Sequence, residues 1–307
     1  ARDYIQEALE DFSVDIHFIA GGTLTNLTFI SHILKPFEAV ISAETGHINT
    51  HETGAIEATG HKVCPVLTKD GKLNPDLIRP VLDMHENEHW VDPRLVYVSN
   101  PTEVGTVYTK EELEDLYAFC KRHDLYFYID GARLAAALAA KEETHLTFPD
   151  LPKLCDAFYI GGTKVGAMFG EALVLVNENF KERFRFNMKQ KGAILAKGWF
   201  LGVQFEELFK NNLYIEAGTH SIAMMKPIKE AFEKAGIPLL CEAPTNQIFP
   251  IFPNALAEEI NKKYLTTFQC KPDEDHTCLR FCTSWATNEN AVKDFVEDFE
   301  EMCGRLL

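Results

Sequence analysis

Short apolar runs alternate along the first two thirds of the chain with stretches in which apolar residues recur at helical spacing. The runs at residues 15–19, 39–42, 62–66, 95–99, 125–129, 157–160 and 172–176 predict strands. Helical spacing predicts helices over residues 25–34, 53–58, 75–85 and 110–123. Thr109 precedes the last of these with Glu111 and Glu112 behind it, so a hydroxyl can cap the free amides while acids face the positive end of the helix dipole. Strands alternating with helices make a parallel sheet covered on its faces. After about Phe200 the pattern changes: a long helical region leads into 222–235, short strands follow near 247–252 and 278–284, and a helix closes the chain from 288 to about 303. The expected fold is α/β, with a large domain over residues 1–205 and a smaller α+β domain over 206–307.

Composition narrows the class. A chain of 307 residues that is 46% hydrophobic can bury a sizeable core. A net charge of -16 excludes a general binder of nucleic acid or of acidic membranes, because phosphates attract clustered positive charge. Eight cysteines at 64, 120, 155, 241, 270, 278, 282 and 303 form no Cys-x-x-Cys pair and fall mostly in apolar stretches, which predicts buried free thiols. No run approaches the roughly 18 apolar residues that span a bilayer. Residues 1–10 follow an amphipathic helix pattern and not a signal peptide, so a cytoplasmic protein is expected. The chain opens inside that pattern without an initiator methionine, and residues preceding Ala1 are expected.

Candidate chemistry lies where strands end. Ala20-Gly-Gly-Thr-Leu-Thr-Asn26 follows a strand and opens a helix, a place where backbone amides attract phosphate and glycine permits close approach. The alternative is a tight turn with a threonine cap. Glu44-Thr-Gly-His-Ile-Asn-Thr-His-Glu-Thr-Gly54 puts His47 where an imidazole could stack on a flat ring or reach substrate protons. It lacks the His-Glu-x-x-His order of zinc hydrolases, so no metal is expected.

Tyr126-Phe-Tyr-Ile-Asp-Gly-Ala-Arg133 ends an apolar strand in Asp130 and places Arg133 three residues on. Tyr159-Ile-Gly-Gly-Thr-Lys-Val-Gly-Ala-Met168 sets Lys164 behind a hydroxyl and between small residues. A lysine that carries pyridoxal phosphate as a Schiff base and an aspartate against its pyridine nitrogen are the recurring protein parts of that chemistry. Arg133 could clamp a carboxylate or phosphate in two-point fashion, and Thr163 could donate to a phosphate oxygen. Each has a plainer reading: an Asp-Gly turn, a surface ion pair, a strand-end turn.

Taken in order, these segments resemble the threonine aldolase family, within the aromatic amino acid β-eliminating lyase group of fold type I pyridoxal phosphate enzymes. The resemblance rests on residues 21–26, 46–55, 130–133, 161–164, the Lys189-Gln-Lys-Gly-Ala193 turn and Leu279-Arg-Phe281, and spans nearly the whole chain. It implies a seven-stranded, mostly parallel large domain and a small C-terminal domain. It further implies that Gly22, Thr23 and Thr163 bind the cofactor phosphate, His47 stacks on the ring, and Asp130 pairs with the ring nitrogen. Lys164 would carry the cofactor, and Arg133 and Arg280 would hold the carboxylate of an amino acid substrate. The activity implied is retro-aldol cleavage of threonine or allo-threonine to glycine and acetaldehyde, in a homodimer or homotetramer.

Two departures qualify this. The family's opening segment, with a substrate-contacting serine and an interface tyrosine, has no counterpart from Ala1 onward. Low-specificity members carry a second histidine that contacts the substrate hydroxyl. Here Val98-Ser-Asn-Pro-Thr-Glu-Val-Gly105 stands in that place, with Thr102 or Glu103 nearest, and Glu103 could act as the base. The same lysine and aspartate would also serve an aminotransferase or a β-eliminating lyase, and a cofactor-free binding protein on the same fold is the remaining alternative.

Overall fold

The computed structural model describes residues 1–306. Seven strands, β1 (Asp15–Ile19), β2 (Glu38–Ala43), β3 (Val63–Val66), β4 (Asp92–Ser99), β5 (Tyr126–Asp130), β6 (Ala157–Gly161) and β7 (Glu171–Leu175), form one sheet in the order β1-β7-β6-β5-β4-β2-β3. The pairs β2–β3, β2–β4, β4–β5 and β5–β6 are parallel, whereas β7 runs antiparallel to both β6 and β1. The seven expected strands are all present, each within a few residues of its apolar run.

The apolar runs are continuous because both sheet faces are covered. Ile41, Val96, Phe127, Ile129 and Phe158 point into one core, and Val40, Tyr97, Tyr128 and Tyr159 into the other. Covering helices are α1 (Arg2–Leu9), α2 (Gly22–Ile33), α3 (His47–Thr50), α4 (Pro75–Met84), α5 (Lys110–Arg122), α6 (Leu134–Ala139), α7 (Lys141–Thr144), α8 (Leu151–Leu154), α9 (Phe184–Gln190) and α10 (Trp199–Lys210). Thr109 caps α5, with its hydroxyl accepting from the Glu112 amide at 3.2 Å and the Glu112 carboxylate accepting from the Thr109 amide at 2.9 Å.

The helix expected over 53–58 does not form. Thr53 and Gly54 adopt left-handed conformations, with φ of 53° and 69°, which break a right-handed helix, and a single 3-10 turn at Glu57–Thr59 is all that follows. The short helix lies one step earlier, in α3, and it carries His47.

Beyond α10, the helix α11 (Leu213–Lys234) leads into α12 (Asn254–Lys263), α13 (Glu289–Leu306) and a second sheet. That sheet contains β8 (Gln247–Ile248), β9 (Ile251–Pro253), β10 (Thr267–Cys270) and β11 (His276–Cys282), with β10 and β8 flanking β11 and β9 also pairing with β11. Phe232 on α11 meets Phe252, Phe281, Phe295 and Phe299 in its core, with ring centroids 4.8–6.0 Å apart. The expected division at residue 205 falls inside α10, whose Phe205 and Leu208 pack in the large-sheet core. The change of core comes further on, within α11, where Tyr214 belongs to the first core and Met225 to the second. Among the described residues all eight cysteines are free thiols; Cys64, Cys120, Cys155 and Cys278 are buried, Cys241, Cys270 and Cys303 are partly buried, and Cys282 is exposed.

Candidate active site

The carboxyl ends of β4, β5 and β6 converge on one cleft, the position at which parallel α/β sheets place their ligands. Asp130, the last residue of β5, is buried. Its Oδ2 accepts the Tyr97 hydroxyl at 2.6 Å and Asn26 Nδ2 at 3.1 Å, and its Oδ1 accepts the Ala132 amide at 3.0 Å. The glycines at the ends of the two functional strands, Gly131 just after β5 and Gly161 closing β6, are fixed by crowding. A Cβ on Gly131 would sit 2.0 Å from the Tyr159 carbonyl oxygen, and one on Gly161 would sit 2.5 Å from that of Ala132. The turn after Asp130 and the strand leading to Lys164 thus touch backbone to backbone.

His47 stands at the start of α3 and donates from Nδ1 to Glu52 Oε1 at 2.8 Å. That bond raises the imidazole above its ordinary pKa, against the effect of burial, and Asp130 adds to the rise. The His51 ring lies parallel to it, 5.5 Å away. Glu103 occupies the cleft wall with Oε1 accepting both the Ser99 hydroxyl at 2.6 Å and the His47 amide at 2.8 Å. Loss of hydration pushes its carboxyl up to about 6, and the Asp130 charge adds to this, while the hydrogen bonds pull it down.

Lys164 reaches solvent through the mouth of the cleft while protein surrounds its stem. Burial, followed by the Arg133 guanidinium, holds its amine below the ordinary value, and Asp130, Glu171 and Cys282 oppose them. Arg133 is also lowered by burial, with the Cys282 thiol opposing and Arg280 adding to the shift. Its charge neighbours are another guanidinium and a thiol, not a carboxylate. Arg280, on β11, has a buried Nε with no partner in the protein. Neither guanidinium is paired with a carboxylate, and two such cations lining one cleft fit an anionic ligand.

His47, Glu103, Asp130, Arg133, Lys164 and Arg280 therefore line a single cleft. Gly22, Thr23 and Thr163 lie outside that lining. Gly22 opens α2 behind Gly21, and no side chain caps that end, so its first amides are free for a phosphate. Thr163 is differently engaged: its hydroxyl donates to Glu171 Oε1 at 2.9 Å and accepts the Gly170 amide at 3.0 Å.

Several partners had no role assigned from sequence. Asn26 and Glu52 fall inside the glycine-rich and histidine motifs, and one carboxylate oxygen of Glu52 accepts Asn26 Nδ2 at 2.8 Å. Tyr97 and Glu171 sit within apolar strands, where a polar residue with no route to water is itself the signal. Gln247 and Gln269 line the cleft from the second sheet, and no local pattern marks them.

A buried aspartate and a lysine facing one cleft at the carboxyl ends of a mostly parallel seven-stranded sheet mark a fold type I pyridoxal-phosphate-dependent enzyme. The same fold recurs in the histidinol-phosphate aminotransferase of Clostridium acetobutylicum, with a TM-score of 0.73 at 14% identity over 99% of this chain and 88% of that one. The family described as Beta-eliminating lyase matches residues 3–252, and the chain belongs to it. A solved Leishmania major threonine aldolase superposes with a TM-score of 0.96 at 49% identity, covering 98% of this chain and 87% of that one. The low specificity L-threonine aldolase of Pseudomonas aeruginosa is 27% identical over 314 residues, 99% of this chain and 87% of the relative.

Proposed function

We propose that this chain is a lyase that cleaves threonine or allo-threonine between Cα and Cβ, giving glycine and acetaldehyde. The observation that carries the reading is the Lys164 amine and the Asp130 carboxylate facing one cleft lined by two unmatched arginines. Pyridoxal phosphate bound there supplies an electron sink for the pair released when a bond to the amino-bearing carbon breaks.

The remaining work falls to the chain. Lys164 anchors the cofactor aldehyde, and its lowered amine pKa leaves more of it neutral and nucleophilic. Asp130, held in place by Tyr97, Asn26 and the Ala132 amide, would hold the ring nitrogen. The amides at Gly22 and Thr23 take the phosphate, and Thr163 joins them only by releasing Glu171. Arg133 and Arg280 would clamp the substrate carboxylate, and His47, on the same cleft, would hold the cofactor ring. Glu103 takes the β-hydroxyl proton, a role to which a carboxyl poised near neutrality is suited.

In this reading the large-sheet region carries the cofactor and the C-terminal unit closes the cleft with Arg280. The protein assembles as a homodimer or homotetramer, supported by exposed Trp199, Phe200 and Val203 on α10. It acts in the cytoplasm; among the described residues no helix is long and apolar enough to cross a membrane.

Incubation of the pyridoxal-phosphate-loaded protein with L-threonine and L-allo-threonine tests this. Glycine and acetaldehyde should appear in equal amounts with no added acceptor. Turnover that depends on a keto acid would replace this reading with transamination.

A further inference from the structure

Lys164 does not sit on a strand but on the connection between β6 and β7, a stretch of small and flexible residues, Gly162-Thr-Lys-Val-Gly-Ala-Met-Phe-Gly170. Such a segment has many conformations open to it, and Gly166 and Gly170 use left-handed ones at φ of 106° and 108°. Something must select one. The backbone supplies part of the answer: the Val165 and Ala167 amides both donate to the Gly162 carbonyl, at 3.0 and 3.1 Å, folding a turn around the lysine.

The rest comes from Glu171, the first residue of β7. Its Cα is paired with Gly161 on one side and with Ile19 on the other, so its backbone is fixed by two strands. The side chain is buried, and both its oxygens are used. Oε2 accepts the Gly162 amide at 2.8 Å, and Oε1 accepts the Thr163 hydroxyl at 2.9 Å. The Thr163 hydroxyl in turn accepts the Gly170 amide at 3.0 Å, so one carboxylate closes both ends of the connection. A carboxylate taken out of water inside a sheet is costly unless bonded, and nothing in strand packing requires an acid at this position. Val or Ile would fill an ordinary buried strand position. The two residues it grips are those immediately before Lys164.

We propose that Glu171 is the positioning residue of the Lys164 turn: through the Gly162 amide and the Thr163 hydroxyl it aims the lysine amine into the cleft. The proposal rests on the reading of Lys164 as the cofactor lysine, but its geometric content does not. Fixing Lys164 before the cofactor arrives lowers the ordering cost of binding, as a second layer of hydrogen bonds does in other preorganised sites. It also accounts for Thr163, whose donor is taken up by Glu171.

The full chain is tested with and without pyridoxal phosphate, using Glu171→Gln and Glu171→Asp. Glutamine removes the charge and one of the two acceptors; aspartate keeps the charge but is one methylene too short to span both donors. In the cofactor-free protein, hydrogen exchange at the Gly162 amide should quicken about tenfold or more in both variants, the response to weakening one protecting bond. The Lys164 amine, titrated by NMR after isotopic methylation, should titrate at lower pH in Glu171→Gln and unchanged in Glu171→Asp. Both should retain pyridoxal phosphate less tightly. Should either variant fail to fold, Thr163→Val, which deletes one of the two arms, must show the same faster exchange at Gly162. Unchanged exchange together with unchanged cofactor affinity overturns the proposal, as does a fall in melting temperature alone. Because exchange and titration are read without cofactor, a protein that binds no pyridoxal phosphate would sink the functional reading and still decide this one.

Discussion

His47 Nδ1 donates to Glu52 Oε1 at 2.8 Å, and the same oxygen accepts Asn26 Nδ2, also at 2.8 Å. Asn26 Nδ2 in addition reaches Asp130 Oδ2 at 3.1 Å, and the Asn26 carbonyl accepts the Tyr128 hydroxyl at 3.0 Å. One amide side chain therefore couples Asp130 with Glu52, the acid that orients the His47 imidazole. The two carboxylates stay apart because a donor lies between them.

Glu52→Gln should weaken that coupling and alter the pH dependence of stability. The Glu52 bond is the largest cause of the raised His47 pKa. A histidine raised on folding contributes stability that is complete below its unfolded pKa of about 6.5 and is lost as pH rises through the folded value. Urea midpoints compared at several pH values should show the parent losing stability relative to Glu52→Gln over that window. A constant difference between the two proteins would mean that His47 does not gain its charge from Glu52.

Tyr97→Phe removes one of three donors to Asp130 while preserving shape. Burial and the Asp130 charge both push the Tyr97 phenol well above its ordinary range, so it holds its proton and donates. Loss of a hydrogen bond to a charged group costs about 1.5–3 kcal/mol. Denaturant unfolding should show that loss, and pyridoxal phosphate should bind more weakly as Asp130 turns more freely. Activity equal to the parent would mean that Tyr97 serves packing alone.

The seven strands of the large sheet and both long helices of the C-terminal region were legible in the sequence because burial on two sheet faces writes itself as unbroken apolar runs and helix faces write a repeat, whereas β10, half exposed, left no such run. The site was legible only where chemistry sits next to punctuation: Asp130 and Lys164 beside glycines, His47 in a polar strand end. Glu171 was not, since its partners Gly162 and Thr163 become neighbours only through antiparallel pairing of β6 with β7. Gln247 and Gln269 meet the cleft from a second sheet, and no spacing along the chain reports that approach; Arg280, on the same sheet, was reached only through the family resemblance. The helix expected over 53–58 failed for the converse reason: two residues in left-handed conformation outweighed a short run of helix formers.

Arg280→Lys keeps the charge and removes the planar fork. Its Nε is buried without a protein partner and Nη2 meets only the Thr267 hydroxyl at 3.3 Å, so most of its donors are free for a substrate carboxylate. A single ammonium cannot make the two parallel bonds. Steady-state kinetics with threonine should show KM raised about tenfold, the equivalent of about 1.4 kcal/mol, with a smaller change in kcat. A change confined to kcat would assign Arg280 to the reacting bonds and not to the carboxylate.

Glu103 offers the sharpest test of the chemistry, because its carboxyl is pushed up to about 6 where an ordinary glutamate lies at 4.5. The folded protein then holds this proton more tightly than the unfolded chain does. Between those two values the native state binds more protons, so stability contributed by this group falls as pH rises from about 4.5 to about 6 and is constant outside that window. A base must be deprotonated to work, so kcat/KM for threonine should climb with pH through the same region and level off above it. The two curves should run in opposite directions across one window, and Glu103→Gln should flatten both while lowering kcat by about 10²–10⁴, the usual contribution of a positioned base. The His47 amide and the Ser99 hydroxyl still find an oxygen in glutamine, which keeps the local bonds close to intact. Survival of the rising limb in Glu103→Gln would move the proton-accepting role to another group, and His47, whose pKa is raised, is then the one to titrate next.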